Sequence, residues 1–224
     1  MAKYPSAVMK LLPETTTQPA IVPTTIIVHS AAGRGSLYNF FLKSSSLESH
    51  FWIGEDGTIE QYIDTQIRAD ANYNANGFAI SIETESSPSA VERWTAKQAH
   101  SLIMLIDWLC KTHNIPRTLC KTPTDAGLGW HIMFGAPGYW TPVSKSCPGP
   151  ARIEQFKQEI VPAVQDLTKV EVDHLAALTE KQQKEMYLWT KAIFNAIADN
   201  EEAMKPNILK RIRDGVARIE QDAA

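Results

Sequence analysis

The sequence predicts an α/β protein, and three segments carry that prediction. Residues 24–30 (TTIIVHS) are a short β-branched apolar run, residues 77–85 (GFAISIETE) alternate in polarity, and residues 95–114 have the apolar spacing of a helix. Strands and helices that alternate in this way build a sheet with helices packed on it. With 44% apolar residues a core can form, and the formal charge of -3 predicts neither a nucleic-acid nor a membrane partner.

An N-terminal strap is predicted for residues 1–23. Four prolines and the threonine run at 15–17 favour an extended segment over a helix. The segment has no apolar stretch long enough for a signal peptide. The three cysteines of the chain are too few for a disulfide framework, which is typical of a protein made in a reducing cytosol.

The first strand of the folded part is expected at 24–30, and it places His29 at the exit of a buried strand. Residues 49–63 alternate around the turn signal EDG and predict two strands joined as a hairpin.

The segment 77–85 predicts a strand with two different faces. Alternation puts Ile80 and Ile82 on one face and Glu83 and Glu85 on the other. One side of the sheet is therefore expected to be apolar and the other to carry acid.

Helices and one long loop complete the pattern. Thr95 is a good N-cap for the helix over 95–114, which should cover the sheet. Residues 121–150 are rich in glycine, proline and aromatics and predict a structured loop region, which in a compact domain belongs to a site. Residues 151–168 predict a further helix, and 169–224 predict a C-terminal hairpin of two amphipathic helices.

The six histidines form no local zinc motif, because neither HExxH nor CxxC occurs. A site built from distant segments would draw on His29, on His131 in GWHIMFG and on Cys147 in KSCPGP. The residue types alone leave two interpretations open: a metal centre, or two loop histidines and a buried thiol.

The order of these motifs resembles the zinc-dependent N-acetylmuramoyl-L-alanine amidases of type 2, a superfamily that includes peptidoglycan recognition proteins and bacteriophage lysozyme-amidases. The resemblance covers roughly residues 24–165. It implies a central mixed β-sheet flanked by helices, an amidase domain over 24–168, and peptidoglycan as the partner. The implied reaction is hydrolysis of the amide between N-acetylmuramic acid and L-alanine.

The same resemblance implies site residues. His29, His131 and Cys147 match the ligands of Zn²⁺, with a fourth position open for water. Lys145 matches a lysine that stabilises the oxyanion, and Glu83 matches the acid that acts as general base. Glu85, two residues later on the same strand face, is its rival.

Substrate contacts are less sharply implied. His50 in SHF matches a family position that often reads YHF, and it could be a core histidine or a substrate contact. Trp130 and Trp140 flank the loop of His131 and could bind sugar and peptide, or form a local apolar lid. The segment RADANYNANG departs from the WHAG-like histidine motif of many relatives and has Asp70 or Asn72 in that region, and Ser49 replaces a tyrosine of some phage members.

The expected biological role is that of a bacteriophage endolysin, which accumulates in the host cytoplasm and reaches the cell wall after the membrane is breached. Two alternatives remain: a peptidoglycan-binding protein without catalysis, and a cytosolic amidase that recycles muropeptides. The apolar stripe through Trp189, Ile193 and Ile197 in the C-terminal hairpin must pack either on the amidase domain or on a second copy of itself, and its heptad-like spacing favours a homo-oligomer.

Overall fold

The computed structural model describes residues 2–43 and 46–167. A mixed six-stranded sheet lies at its centre, in the order β1-β4-β3-β5-β2-β6. The strands are β1 (Val8–Met9), β2 (Thr25–Val28), β3 (Phe51–Ile53), β4 (Ile59–Gln61), β5 (Ala79–Thr84) and β6 (Gly127–Trp130).

Strand direction makes one end of the sheet suitable for a site. The predicted central strand β2 lies between β5 and β6 and is parallel to both, while β5 is also parallel to β3. Four neighbouring strands therefore end at the same edge, where α/β proteins commonly place their sites. The predicted hairpin is present as the antiparallel pair β3 and β4.

The helices are α1 (Glu14–Thr17), α2 (Tyr38–Phe41), α3 (Ala96–His113) and α4 (Pro150–Gln155). A π-helical stretch, Phe156–Ile160, follows α4, and the helix continues through 161–167. Thr95 caps α3 as predicted, since its hydroxyl accepts from the amide of Gln98 and the Gln98 side chain accepts from the Thr95 amide. Asn114, in the left-handed conformation, ends the helix.

The main core lies between one face of the sheet and the two long helices. Strand residues that alternate toward this face pack against apolar residues of α3 and of the helix after α4; the group includes Ile26, Val28, Ile80, Ile82, Leu102, Leu105, Ile106, Leu109, Phe156 and Ile160, all buried. The predicted central mixed sheet flanked by helices is confirmed.

Two segments differ from the sequence prediction. The strap adds β1 to the sheet and the short helix α1, and it buries Tyr4 and Leu12. Prolines exclude a long helix there, but they permit a two-residue strand and one helical turn. The loop region 121–150 contains β6, whose two glycines hide the polarity pattern that identifies a strand.

The predicted C-terminal hairpin at 169–224, and with it the predicted self-association, lies outside the described residues. Within the part of the chain that the structure describes, no helix is both long and apolar enough to cross a lipid bilayer.

Candidate metal centre and catalytic cleft

Three side chains form a row across the ends of parallel strands. His29 follows β2, His131 follows β6, and Glu83 is near the end of β5. The residues that directly precede them are paired across the sheet, so the three lie side by side on the face opposite α3. The strand register thus assembles a site from positions more than 100 residues apart in sequence.

Cys147 reaches the same place from the loop before α4. The amide of Ser30 donates a hydrogen bond to its Sγ at 3.1 Å. One ligand atom from each of His29, His131 and Cys147 lies within 4.8 Å of the others. Gly149 makes the loop possible, because its φ is +98° and a Cβ there would lie 2.2 Å from the carbonyl oxygen of Ala90.

A buried arginine supports the loop that carries Cys147. Arg152 is fully buried and donates hydrogen bonds to the hydroxyls of Ser30 and Thr84 at 2.9 and 3.0 Å. It also donates to the carbonyl oxygens of Glu85 and Glu92. No sequence pattern identifies this residue in advance, because an arginine in a helical pattern is usually exposed.

The hydrogen bonds of His131 define which of its ring nitrogens is available as a metal ligand. Its Nε2 lies 3.2 Å from the carbonyl oxygen of Trp140, which can only accept, so Nε2 carries the proton. The Trp140 ring packs over Gly129, where a Cβ would be 2.6 Å from it. The Nδ1 lone pair of His131 is buried and has no partner among the described residues.

The donor set fits Zn²⁺. Two imidazole nitrogens and one thiolate are ligands that zinc prefers, and three protein ligands leave a position open. A buried nitrogen without a partner is costly, and a bound cation would remove that cost. The ring centroids of His29 and His131 are 4.1 Å apart, which disfavours a positive charge on both rings at once.

The local electrostatics agree with this fit. Burial lowers the pKa of His29 well below its ordinary value and that of His131 to about 3, which keeps both rings neutral. Burial raises the pKa of the Cys147 thiol to about 12, and Glu83 adds to that rise. A cation at the site would be needed to hold Cys147 as a thiolate.

Glu83 is the carboxylate of the cleft. One oxygen lies 3.6 Å from Nδ1 of His29, and the other is buried without a hydrogen-bond partner in the described chain. Burial raises its pKa to about 7, while the Lys145 ammonium opposes that rise. Glu85, its rival, has both oxygens engaged by the amides of Gly35 and Glu55 at 2.7 and 2.8 Å.

A cleft of about 710 Å³ opens onto this row. Its polar wall contains the predicted ligands together with Glu83 and the exposed Lys145. Large apolar side chains at its mouth are about half exposed, namely Phe40, Leu47, Tyr73 and Val143. Such a surface can take a ligand that has both polar groups and methyl or ring faces.

His50, one of the predicted substrate contacts, lies in the core. It is fully buried, its Nε2 is 2.9 Å from the carbonyl oxygen of Ile67, and its Nδ1 accepts from the amide of Ser81 at 3.1 Å. It does not line the described cleft, and both nitrogens are already engaged. Of the two alternatives the sequence left open, the geometry favours the core histidine.

The two predicted tryptophans differ from each other. Trp130 points toward the helical face and packs against Phe156, with ring centroids 6.4 Å apart, so it is not brought to the cleft. Trp140 lines the cleft, but its ring is buried and its Nε1 donates to the carbonyl oxygen of Pro123. Strand alternation explains the difference, since Trp130 precedes His131 by one residue and faces the other side.

Comparisons with known proteins agree with this geometry. A family model described as N-acetylmuramoyl-L-alanine amidase matches residues 18–150. No curated protein matches the chain by sequence.

Several solved structures are similar to the chain. The structure of PlyL has a TM-score of 0.50 at 18% identity and covers 72% of this chain and 96% of its own. Drosophila peptidoglycan recognition protein SD has a TM-score of 0.50 at 11% identity and covers 68% and 94%. The N-acetylmuramoyl-L-alanine amidase LysC from Clostridium intestinale URNW has a TM-score of 0.49 at 19% identity and covers 72% and 97%. At these identities the likeness concerns the fold.

Proposed function

The chain belongs to the N-acetylmuramoyl-L-alanine amidase family, whose model matches more than half of its 224 residues, and we propose that its cleft hydrolyses the amide between N-acetylmuramic acid and L-alanine in peptidoglycan. The observation that carries the proposal is the row of His29, Glu83 and His131, completed by Cys147. It combines a zinc donor set and a carboxylate with one unpartnered oxygen in one cleft.

The metal ligands in this proposal are His29, His131 and Cys147. When bound, zinc supplies Lewis-acid polarisation of the scissile carbonyl and a more acidic water. The protein contributes the geometry: β2 and β6 hold the two histidines, and the Ser30 amide holds the sulfur.

Glu83 is proposed as the general base. A base is most effective when its pKa is near the working pH, and burial brings the pKa of Glu83 to about 7. It takes a proton from the attacking water as oxygen bonds to the carbonyl carbon. It then returns that proton to the departing nitrogen, so the C–N bond breaks to give a carboxylic acid and the free amine of L-alanine.

Lys145 is proposed to stabilise the oxyanion. It lines the cleft, and its positive charge acts on His29, His131 and Glu83. A fixed cation near the carbonyl oxygen stabilises the tetrahedral state more than the planar substrate.

The test is the release of stem peptides from purified peptidoglycan. Zinc-loaded protein should produce new amino termini on L-alanine, chelation should abolish the release, and zinc should restore it. New reducing sugar ends without new L-alanine amines would contradict the proposed reaction. Binding to the wall with no new amines would favour the non-catalytic peptidoglycan-binding alternative.

The endolysin role and its two locations, host cytoplasm and then cell wall, are proposals of the same kind. The half-exposed apolar side chains that line the cleft suit contact with polymeric wall. Intact sacculi should therefore be hydrolysed at least as well as soluble muropeptides. Activity confined to soluble muropeptides would favour the recycling amidase instead.

A further inference from the structure

Asn72 is a buried side chain that the proposed reaction does not use. It lies just before the 3₁₀ turn Tyr73–Ala75 and is fully buried. Its backbone N–H donates to Oδ1 of Asn76 at 2.7 Å, which anchors the backbone. Its own Oδ1 lies 2.8 Å from Nε2 of His29. It belongs to RADANYNANG, the segment that departs from the motif of many relatives.

The imidazole of His29 has two polar neighbours that compete for its one proton. Asn72 Oδ1 is 2.8 Å from Nε2, whereas the nearer oxygen of Glu83 is 3.6 Å from Nδ1. Only the first distance is that of a hydrogen bond. The geometry therefore favours the tautomer with hydrogen on Nε2, and Nδ1 keeps its lone pair.

The surroundings of the Asn72 side-chain amide also support a hydrogen bond from Nε2 of His29 to Oδ1. Its Nδ2 is buried and has no hydrogen-bond partner within residues 2–43 and 46–167. A buried donor without a partner is costly, and the orientation of this side chain satisfies its Oδ1 rather than its Nδ2. The contact with His29 is the polar contact that this side chain makes.

We propose that Asn72 is a positioning residue that holds His29 in the Nε2–H tautomer and thereby directs the Nδ1 lone pair to the metal centre. Metal-bound histidines generally donate their other N–H to an oxygen, which fixes both tautomer and ring orientation. His131 obtains the same arrangement from the carbonyl oxygen of Trp140. The inference rests on the proposed metal site for its function, but its first test needs no metal.

The first test is the tautomer of His29 in metal-free protein, measured by ¹⁵N NMR of the imidazole ring. Wild-type protein should carry the proton on Nε2. Asn72→Leu, which has no acceptor, should increase the Nδ1–H form, since the Glu83 carboxylate remains nearby. Asn74→Leu, an exposed position in the same turn, is the matched control and should leave the tautomer unchanged. A wild-type proton on Nδ1, or no change in Asn72→Leu, would overturn the proposal.

The second test is zinc affinity, measured by competition with a chromophoric chelator. Asn72→Leu should bind zinc about 10–100-fold more weakly, the usual effect of losing a partner of a ligating histidine. Asn72→Asp retains an acceptor and should bind much closer to wild type. Equal affinity of wild type and Asn72→Leu would overturn the proposal. If wild type itself binds no zinc, the metal centre fails while the tautomer result still decides the role of Asn72. If Asn72→Leu does not fold, the wild-type and Asn72→Asp tautomers decide it.

Discussion

Two buried histidines on the same face of the sheet differ in the hydrogen bonding of one ring atom, Nδ1. His50 and His131 both donate from Nε2 to a backbone carbonyl oxygen, that of Ile67 and that of Trp140. The Nδ1 of His50 accepts from the Ser81 amide. The Nδ1 of His131 has no partner in the described chain.

This comparison shows that burial alone does not identify a functional histidine. Both rings are buried and the pKa of each is lowered, to about 4 for His50 and about 3 for His131. What distinguishes them is a lone pair left without a donor. Glu83 and Glu85 repeat the contrast among carboxylates, since an oxygen of Glu83 is unpartnered and both oxygens of Glu85 accept from amides.

The largest expected effect is on metal affinity. Cys147→Ser should weaken zinc binding by more than about 100-fold, because removing a ligand must exceed the loss of a partner that only orients one. His50→Gln is the matched control and should retain its zinc. Metal analysis of the two purified proteins checks this. Full zinc content in Cys147→Ser, or loss of zinc in His50→Gln, would break the comparison.

The two carboxylates should differ in turnover. Glu83→Gln should lower kcat by about 10²–10⁴-fold, the range for loss of one general base, while zinc stays bound. Glu85→Gln should retain activity, because its carboxylate binds backbone amides rather than facing the cleft. Release of L-alanine amino termini measures both. A dead Glu85→Gln beside an active Glu83→Gln would reverse the assignment.

Lys145→Met should lower kcat by about 10²–10³-fold, the effect of removing one group that stabilises an oxyanion. Zinc content and the fold should be unchanged, since Lys145 is exposed. Lys121→Met, at an exposed loop position that does not line the cleft, is the control. Equal rates for the two variants would show that the charge of Lys145 takes no part in the reaction.

Arg152 is a buried side chain with a structural role, because its donors are engaged by buried and half-buried acceptors. Arg152→Met should lower the free energy of unfolding by about 3 kcal/mol, since it removes hydrogen bonds to Ser30, Thr84 and two backbone carbonyl oxygens in the interior. Urea denaturation of metal-free protein at pH 7 measures the change. The exposed Arg93→Met, at a surface ion pair with Glu159, should change stability by less than about 1 kcal/mol. Equal effects of the two substitutions would contradict a supporting role for Arg152.

The smallest expected effect is the pH dependence that His50 contributes. Burial lowers its pKa from 6.5 to about 4, so the folded state holds it neutral while the unfolded state takes up a proton. Its contribution to stability is complete above pH 6.5 and is lost as the pH falls toward 4. Between pH 7 and pH 5, metal-free wild type should lose about 2 kcal/mol more than His50→Gln in urea denaturation. An equal loss in both proteins would mean that His50 is not held neutral.

The sequence by itself determined the local elements and the residue types of the site. A β-branched apolar run identified β2, and the periods of polarity along the chain identified β5 and α3. The order of motifs indicated the family and singled out His29, His131 and Cys147, and it left Glu83 and Glu85 as alternatives.

The tertiary structure decided which atoms of those residues are available. The register of three strands places His29 beside His131, the Trp140 carbonyl sets the His131 tautomer, and Arg152 supports the loop of Cys147. It also places His50 and Trp130 away from the cleft. These outcomes depend on partners from distant segments of the chain. Periodicity predicts only which face of a strand or helix a side chain occupies, and not which distant segment packs against that face.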